Sequence, residues 1–239
     1  MYIRPEYHED GIYHAYNRGV AKQLIFLKET DYFDFKQIMR YFLVGFPEAK
    51  VSDTLASFSQ RWRLENKPVS FAADPAGNGM FKGVLDLLAY CLMPNHFHFL
   101  VRIRKVSDTL RLPISEFIKR LGITYCHKFN HDNQRVGPIF QGRFKIKEVD
   151  SDERLIHTTR YIHINPTMAG LADKPEDWKH SDLMDYFNFQ SASGDAMSKP
   201  LFILEYFGRS PKAYRDFVEA QFSEEDSQKI SDIALEDEP

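Results

Sequence analysis

The chain has 239 residues, of which 43% are hydrophobic and 27% charged, so it is long enough to bury a sizeable core. The net charge is only −3, so bulk charge does not indicate a nucleic-acid-binding protein, and the local distribution of charge matters more. Two cysteines cannot form a disulfide framework, no apolar run is long enough to span a membrane, and the N-terminus has no signal-peptide pattern. We therefore expect a soluble, cytoplasmic protein.

The first elements predicted along the chain are a strand and a helix. Residues 11–17 alternate between two faces and end at the turn signal Asn17-Arg18-Gly19, which is typical of a strand. His14 on this strand could approach a functional site, although we expect it to hold an ordinary position in the sheet. Apolar residues at helical spacing between residues 27 and 44 predict a helix, with Thr30 as its N-cap.

Residues 47–83 are dominated by polar and small side chains and contain the breakers Asp74-Pro75 and Gly77-Asn78-Gly79. This composition predicts an insertion between two elements of the fold. The sequence assigns it no function.

Two strands are predicted next, at residues 84–92 and 96–103, and the second contains a pair of histidines. Because strand side chains alternate between faces, His96 and His98 lie on one face and Phe97 lies on the other. Two imidazoles side by side can supply half of a metal site. A His-x-His pair also occurs by chance, so the motif alone leaves a structural role open.

Residues 113–130 form the clearest predicted helix, with Pro113 in its first turn and Arg120 mostly off its apolar face. Between Arg102 and Lys147 basic residues far outnumber acidic ones, so the near-neutral total hides a positive segment.

Residues 135–149, which contain the end of that positive segment, interleave basic and aromatic side chains and include Gln141, Arg143 and Lys145. Bases stack on aromatic rings while Arg and Lys contact phosphates, so this stretch predicts a platform for single-stranded nucleic acid. A solvated surface without a ligand is the alternative.

A further helix is predicted at residues 152–164, with Ser151 or Asp152 as its cap. Tyr161 and Asn165 are four residues apart and therefore share one helix face. Residues 200–221 also have a helical pattern, and the acidic residues after them predict a solvated tail.

Three motifs in this order, MPNHFHFLV, GPIFQGRFK and RYIHINPTMAGL, make the chain resemble the single-tyrosine HUH transposases. The closer likeness is to the REP-associated tyrosine transposase branch, in the longer form with a C-terminal extension. The resemblance covers roughly residues 10–45 and 84–190, and it is the three motifs together that are specific.

The resemblance implies an α+β, ferredoxin-like fold with an antiparallel sheet, helices packed on one face and a C-terminal helical extension. It implies a catalytic domain over residues 1–190, with the insertion at about 47–83. The helical extension and acidic tail would then occupy residues 191–239.

The resemblance also implies the roles of the site residues. His96 and His98 would bind a divalent metal, Mg²⁺ or Mn²⁺, and Tyr161 would be the nucleophile. Insertion-sequence members often supply a third ligand, Gln, one turn after the tyrosine, and Asn165 holds that position here. An amide oxygen suits a hard cation, but the shorter side chain departs from the pattern.

Further residues are candidates for DNA contact, for a structural role or for the nucleophile. We interpret six side chains as candidates for DNA contact: Arg143, Gln141, Arg18, Asn17, Lys145 and Arg120. His163 is expected to be structural, because it lies two residues after Tyr161 on another side of the helix. Tyr16, Tyr90 and Tyr125 are rival nucleophiles by residue type only.

The implied reaction is metal-dependent cleavage and rejoining of single-stranded, hairpin-containing DNA through a covalent 5′-phosphotyrosine. An unperturbed phenol has a pKa of about 10, so the metal would have to assist the attack. One alternative is a domesticated protein that binds DNA hairpins or single-stranded regulatory sites without cutting them. Another is a small metallohydrolase, although carboxylate ligands are lacking near the histidine pair.

The expected partner is single-stranded or hairpin DNA, and we expect no association with a membrane. The sequence leaves the assembly open between a monomer, with the tyrosine in cis, and a homodimer, with the tyrosine supplied in trans.

Overall fold

The computed structural model describes residues 6–46, 78–106, 112–189 and 196–231. Most of the predicted insertion, residues 47–77, therefore lies outside the described residues. Within the described ranges the main elements are four strands and seven α-helices. The strands are β1 (Ile12–Arg18), β2 (Leu85–Met93), β3 (His96–Ile103) and β4 (Lys145–Glu148). The helices are α1 (Glu29–Leu43), α2 (Pro113–Asp132), α3 (Asp152–Met168), α4 (Leu183–Phe187), α5 (Pro200–Leu204), α6 (Pro211–Glu219) and α7 (Glu224–Lys229).

The strands form one antiparallel sheet in the order β2-β3-β1-β4. β1 therefore lies in the middle of the sheet, with Tyr16 opposite His98 on β3 and opposite Lys145 on β4. β1 is followed directly by Gly19, where an added Cβ would lie 2.1 Å from the carbonyl oxygen of Gln23. The predicted α+β fold with an antiparallel sheet is confirmed.

One face of the sheet packs against α1 and α2. Tyr13 and Ala15 of β1 share this core with Phe97, Phe99 and Val101 of β3. These are the residues that the two-residue period of the strands assigns to one face. The apolar stripes of the two helices cover them, as the sequence predicted.

The opposite face carries α3, which contains Tyr161, and the C-terminal extension. Leu100 of β3 and Cys91 of β2 join a second core with Ile162 of α3 and with Tyr214 of α6. β2 is buried on both faces because it is apolar almost throughout, and a bulge between Leu87 and Ala89 shifts its alternation by one residue. Helices thus pack on both faces of the sheet, whereas the resemblance implied helices on one face.

The segment after α3 also covers the outer edge of β2. The backbone N–H of Leu92 donates to the carbonyl of His180, and Lys199 donates to Leu87. A carboxylate oxygen of Asp182 accepts from the backbone N–H of Tyr90 at 2.8 Å. Pairing of this kind removes the open hydrogen-bonding edge that otherwise invites association between chains. The division of the chain at residue 190 remains a prediction.

Two helix starts distinguish between sequence alternatives. α3 is capped by Ser151, whose hydroxyl accepts from the backbone N–H of Arg154 at 3.3 Å. Thr30 as the cap of α1 is wrong, because the helix begins at Glu29 and Lys28 is the capping position. The carboxylate of Asp31 accepts from the N–H groups of Leu27 and Lys28, at 2.7 and 3.1 Å, and so closes this end.

Candidate active site

The site lies on the sheet face that packs against α3. His96 and His98 project from adjacent same-face positions of β3, with ring centroids 4.9 Å apart and ring planes at 89°. Arg18 lies opposite His96 in the ladder, and Tyr16 lies opposite His98. The shared face of the two histidines therefore follows from strand geometry, as the sequence predicted.

His98 is fully buried, and its environment favours the neutral imidazole. Burial lowers the pKa of His98 well below its usual range, and the nearby rings of His96 and His14 lower it further. Its Nδ1 lies 2.9 Å from Nε2 of His14, whereas its Nε2 has no hydrogen-bond partner among the described residues. A buried polar nitrogen without a partner is costly unless a ligand completes it.

His96 is held from the side of the preceding turn. Its Nδ1 lies 2.6 Å from Oδ1 of Asn95. The amide nitrogen of Asn95 donates to the carbonyl oxygen of Lys22 at 3.3 Å, which ties this turn to the segment after β1. Gly19 and Ile25 donate to the carbonyls of Asn95 and Pro94, so the short β2–β3 connection is anchored by backbone as well.

Tyr161 enters the site from α3, the helix that packs on the histidine face of the sheet. Its ring lies 5.6 Å from that of His98 and 6.5 Å from that of His14, nearly perpendicular to both. The side chain is buried, with 7% of its surface exposed. Asn165 follows one turn later on the same helix and is also buried, at 9% exposure. Its role as a ligand remains a prediction.

The donor set suits a cation that takes nitrogen and oxygen ligands. Two neutral imidazoles can bind a divalent transition metal, and an amide oxygen can complete the set for Mn²⁺ or Mg²⁺. No group of three His, Cys, Asp or Glu side chains with metal-binding geometry occurs in the described ranges. A metal at this pair would therefore need oxygen from an amide, water or a substrate phosphate. The unpartnered Nε2 of His98 is the observation that fits such an ion.

Two of the predicted DNA-contact residues lie together beside the histidine pair. Arg18 donates from Nε to Oε1 of Gln141 at 2.6 Å, and the backbone of Gln141 donates to the carbonyl of Arg18 at 2.7 Å. Arg143 and Lys145 are exposed on the same chain segment. Asn17 accepts from the backbone N–H of Arg18 at 2.9 Å.

Arg120 lies apart from this group. It belongs to α2, which packs on the sheet face opposite the histidines, and its Nε donates to Glu116 at 2.7 Å. A DNA contact at Arg120 remains a prediction, and any such contact would be separate from the histidine site.

The rival tyrosines differ in their surroundings. Tyr90 and Tyr125 belong to the core on the other face, and burial raises the pKa of both phenols. Tyr16 instead lies on the histidine face, with its ring 6.0 Å from that of His98. Residue type alone could not separate these three, because the distinction depends on which face each ring occupies.

His163 has the structural surroundings that the helix geometry predicts. It is fully buried, its Nδ1 lies 2.7 Å from the hydroxyl of Tyr214, and its Nε2 lies 3.0 Å from Asp182. These contacts connect α3 to Tyr214 of the extension and to Asp182 of the segment after α3, not to the histidine pair.

His14 is the site residue that sequence reasoning undervalued. The expected ordinary sheet position is wrong, because this fully buried imidazole contacts His98. The available signal was the alternation of β1, which places His14 and Tyr16 on one face. Deciding that this face meets the histidine pair required the strand register.

The sequence comparison matches the part of the chain that contains this site. Residues 82–165, about a third of the chain, match the family model described as "Transposase IS200 like". This segment is similar to the IS200-like transposases. It includes His96, His98, Tyr161 and Asn165, and the resemblance predicted from the three motifs is confirmed. None of the curated proteins matches the chain.

Solved structures give an independent comparison of the fold. A REP-associated tyrosine transposase bound to a REP hairpin aligns with a TM-score of 0.51 and 16% identity, over 84% of this chain and 93% of that chain. That likeness shows a common fold.

Two other structures align at lower scores. A protein from Deinococcus radiodurans R1, described as a candidate transposase, aligns at 0.33 with 14% identity, over 72% of this chain and 98% of that one. The tRNA(His) guanylyltransferase of Saccharomyces cerevisiae aligns at 0.32 with 10% identity, over 99% and 84%. Both scores are too low to support a common fold.

The helices of the described ranges include none that is long and apolar enough to cross a membrane.

Proposed function

We propose that this protein cleaves and rejoins single-stranded, hairpin-containing DNA, with Tyr161 as the nucleophile and His96 and His98 as metal ligands. The observation that carries the proposal is the approach of the Tyr161 ring to within 5.6 Å of the His98 ring in one chain. These residues come from α3 and β3, which are far apart in sequence.

The proposed step exchanges one phosphodiester for another. The phenolic oxygen of Tyr161 attacks the phosphorus, a bond forms between them, and the bond from phosphorus to the 3′ oxygen breaks with its electron pair. The phenol loses its proton when it attacks, and the leaving 3′ oxygen gains one proton, so the step needs no net proton. The products are a 5′-phosphotyrosine and a free 3′-hydroxyl. Because the phosphotyrosine is itself a phosphodiester and none is lost to water, the 3′-hydroxyl of a strand can attack it in the reverse reaction and so join a new strand.

The residues of the chain hold the reacting groups in place. His96 and His98 would hold the metal, with Asn165 as the proposed third ligand. When bound, a divalent ion would neutralise charge on the phosphate that is attacked and orient the scissile bond. Helix α3 limits the freedom of the Tyr161 ring by burying it against the imidazoles, so less orientational entropy is lost when the phosphate arrives.

The proposed DNA surface lies next to this site. Arg18 and Gln141 are joined to each other at 2.6 Å and lie beside the histidine end of β3. The exposed side chains of Arg143 and Lys145 extend the positive charge from there along the chain. Positive side chains can follow the phosphates of a single strand or hairpin while neighbouring groups contact base edges. Hairpin recognition is also consistent with the related fold, which was solved with a REP hairpin bound.

The direct test is the formation of a covalent protein–DNA adduct. The full-length protein is incubated with Mn²⁺ and a labelled single strand that contains a hairpin, and the modified peptide is identified by mass spectrometry. We expect an adduct on Tyr161 that requires the metal and is lost in Tyr161→Phe. Tyr16→Phe is the matched control, because its ring also lies near His98 but on the neighbouring strand.

Three results would count against the proposal in different ways. An adduct that survives Tyr161→Phe would reject the nucleophile. If both the native protein and Tyr161→Phe release cleaved DNA without forming an adduct, the result would indicate a metallohydrolase with water as nucleophile. Tight hairpin binding without cleavage under any metal condition would favour the domesticated binding protein.

A further inference from the structure

We propose that Asn95 and His14 are positioning residues that hold His96 and His98 in one tautomer. In this tautomer each ring carries its proton on Nδ1 and presents the lone pair of Nε2 to a common cation. This inference rests on the proposed function, because it concerns how the metal ligands of that site are prepared. It assigns a role to two residues, one on β1 and one in the turn before β3, that are not among the predicted metal ligands or nucleophiles.

The orientation of the Asn95 amide determines the proton position on His96. The carbonyl oxygen of Lys22 can only accept a hydrogen bond, so the amide atom facing it, at 3.3 Å, must be the nitrogen. The other amide atom, the oxygen, then faces Nδ1 of His96 at 2.6 Å. An amide oxygen only accepts, so Nδ1 must carry the proton. In a neutral imidazole the lone pair is then on Nε2.

The burial of His98 leads to the same assignment for the second ring. Its only hydrogen bond among the described residues joins Nδ1 to Nε2 of His14 at 2.9 Å. The two ring planes are nearly parallel, at 11°, and their centroids are 5.1 Å apart, so the rings approach each other through these two nitrogen atoms. If His98 carried its proton on Nε2, a buried N–H donor would have no acceptor. With the proton on Nδ1, that buried Nε2 is a lone pair available for a metal.

The two anchors act on different rings from different directions. Asn95 precedes His96 directly, whereas His14 reaches His98 from the neighbouring strand, 84 positions earlier in the chain. The rings of His96 and His98 consequently stand nearly perpendicular to each other, at 89°, with centroids 4.9 Å apart. Metal-bound histidines characteristically donate their second ring N–H to a protein acceptor, which fixes the tautomer and raises the basicity of the ligand. Here both acceptors are in place before any metal binds, so the cost of orienting the rings has already been met.

The variants that test this inference separate hydrogen bonding from packing. His14→Phe keeps an aromatic ring at a fully buried position but removes the acceptor, whereas His14→Gln can return an acceptor near the place of Nε2. Asn95→Leu removes the acceptor for His96, and Asn95→Asp keeps it. Circular dichroism and thermal unfolding would establish that each full-length variant is folded.

Two measurements on these proteins do not depend on catalysis. The first is the long-range ¹H–¹⁵N correlation spectrum of the imidazoles without metal, which reports which nitrogen carries the proton. The second is titration with Mn²⁺ alone, followed by calorimetry or by loss of the free-ion electron paramagnetic resonance signal. We expect the Nδ1–H tautomer at both histidines of the native protein. We also expect Mn²⁺ affinity to fall about 10- to 100-fold in His14→Phe and Asn95→Leu. His14→Gln and Asn95→Asp should recover most of that loss.

The outcomes distinguish this inference from the function on which it rests. If the native protein binds Mn²⁺ and forms the Tyr161 adduct, but His14→Phe and Asn95→Leu bind Mn²⁺ equally well, the positioning role is overturned and the proposed function stands. An Nε2–H tautomer at His98 in the metal-free protein would also overturn it. If the native protein binds no Mn²⁺ and forms no metal-dependent adduct, the proposed function itself fails.

Discussion

Tyr161 stands edge-on to His98 of its own chain, with ring centroids 5.6 Å apart and ring planes at 83°. The two residues are brought together because α3 packs on the same face of the sheet from which the histidines of β3 project. This contact lies within one chain. We therefore predict that the nucleophile and the metal ligands come from one subunit.

The first prediction concerns complementation between inactive chains. If the site is complete in one chain, a mixture of Tyr161→Phe with a second variant, His96→Ala plus His98→Ala, should remain inactive. The reason is that each chain then lacks one half of its own site. The measurement is the yield of covalent adduct from the two proteins mixed or coexpressed, compared with native protein diluted to the same extent. Recovery of about a quarter or more of the native yield would instead indicate that the tyrosine is supplied in trans.

The second prediction concerns the salt dependence of DNA binding. Arg143→Ala should weaken hairpin binding and reduce the slope of log K against log salt concentration by about one, because one phosphate contact is lost. Fluorescence anisotropy at several salt concentrations measures both quantities. Arg209→Ala is the matched control, since that exposed arginine lies in the extension and pairs with Glu205 at 2.8 Å. Equal slopes for the native protein and Arg143→Ala would remove Arg143 from the DNA surface.

The third prediction concerns the attachment of the extension to the tyrosine helix. Tyr214→Phe removes the hydroxyl that lies 2.7 Å from His163 and leaves a fully buried ring nitrogen without that partner. We expect the free energy of unfolding to fall by about 1–3 kcal/mol. Urea unfolding followed by circular dichroism measures this change. Tyr206→Phe removes a hydroxyl bound to Asp152 at an exposed position, and it should cost less than about 0.5 kcal/mol. Equal losses in the two variants would contradict a structural role for the His163 contact.

The fourth prediction concerns pH and His180. Burial, with a smaller effect of the positive charge of Lys36, lowers the pKa of His180 from 6.5 to about 4. The ring is 4% exposed and stacks on Tyr32, with centroids 3.6 Å apart. Because the unfolded chain takes up this proton first, its contribution to stability is fully present above pH 6.5 and is lost as the pH falls to 4. The loss should be at most about 3 kcal/mol.

The His180→Phe variant isolates this contribution. Phenylalanine can keep the stack on Tyr32 but cannot take up a proton. We therefore expect the free energy of unfolding of the native protein to fall more steeply between pH 6.5 and 4 than that of the variant. Chemical denaturation at a series of pH values measures both curves. Parallel curves through this window would contradict the buried, neutral state of His180.

Much of the fold and part of the site could be predicted because they depend on local periodicity. The two-residue period of β3 placed His96 and His98 on one face, and the helical period put Tyr161 and Asn165 on another shared face. The structure has β3 at the predicted bounds, and α3 begins at the predicted residue but continues to Met168 rather than ending at residue 164. The error at Thr30 shows the limit of local rules, since a threonine at the start of an apolar pattern is a good cap only if the helix begins after it. Here Asp31 supplies the hydrogen bonds instead.

The amino-acid sequence by itself determined which side chains share a strand or a helix face, because alternation and helical repeat are properties of a few consecutive residues. The tertiary structure decided which of those faces meet. His14 reached His98 only through the antiparallel register of β1 and β3, and Tyr161 reached it only because α3 covers that side of the sheet. Register and layer packing depend on burying apolar surface between segments distant in the chain, and no short window of sequence contains that information.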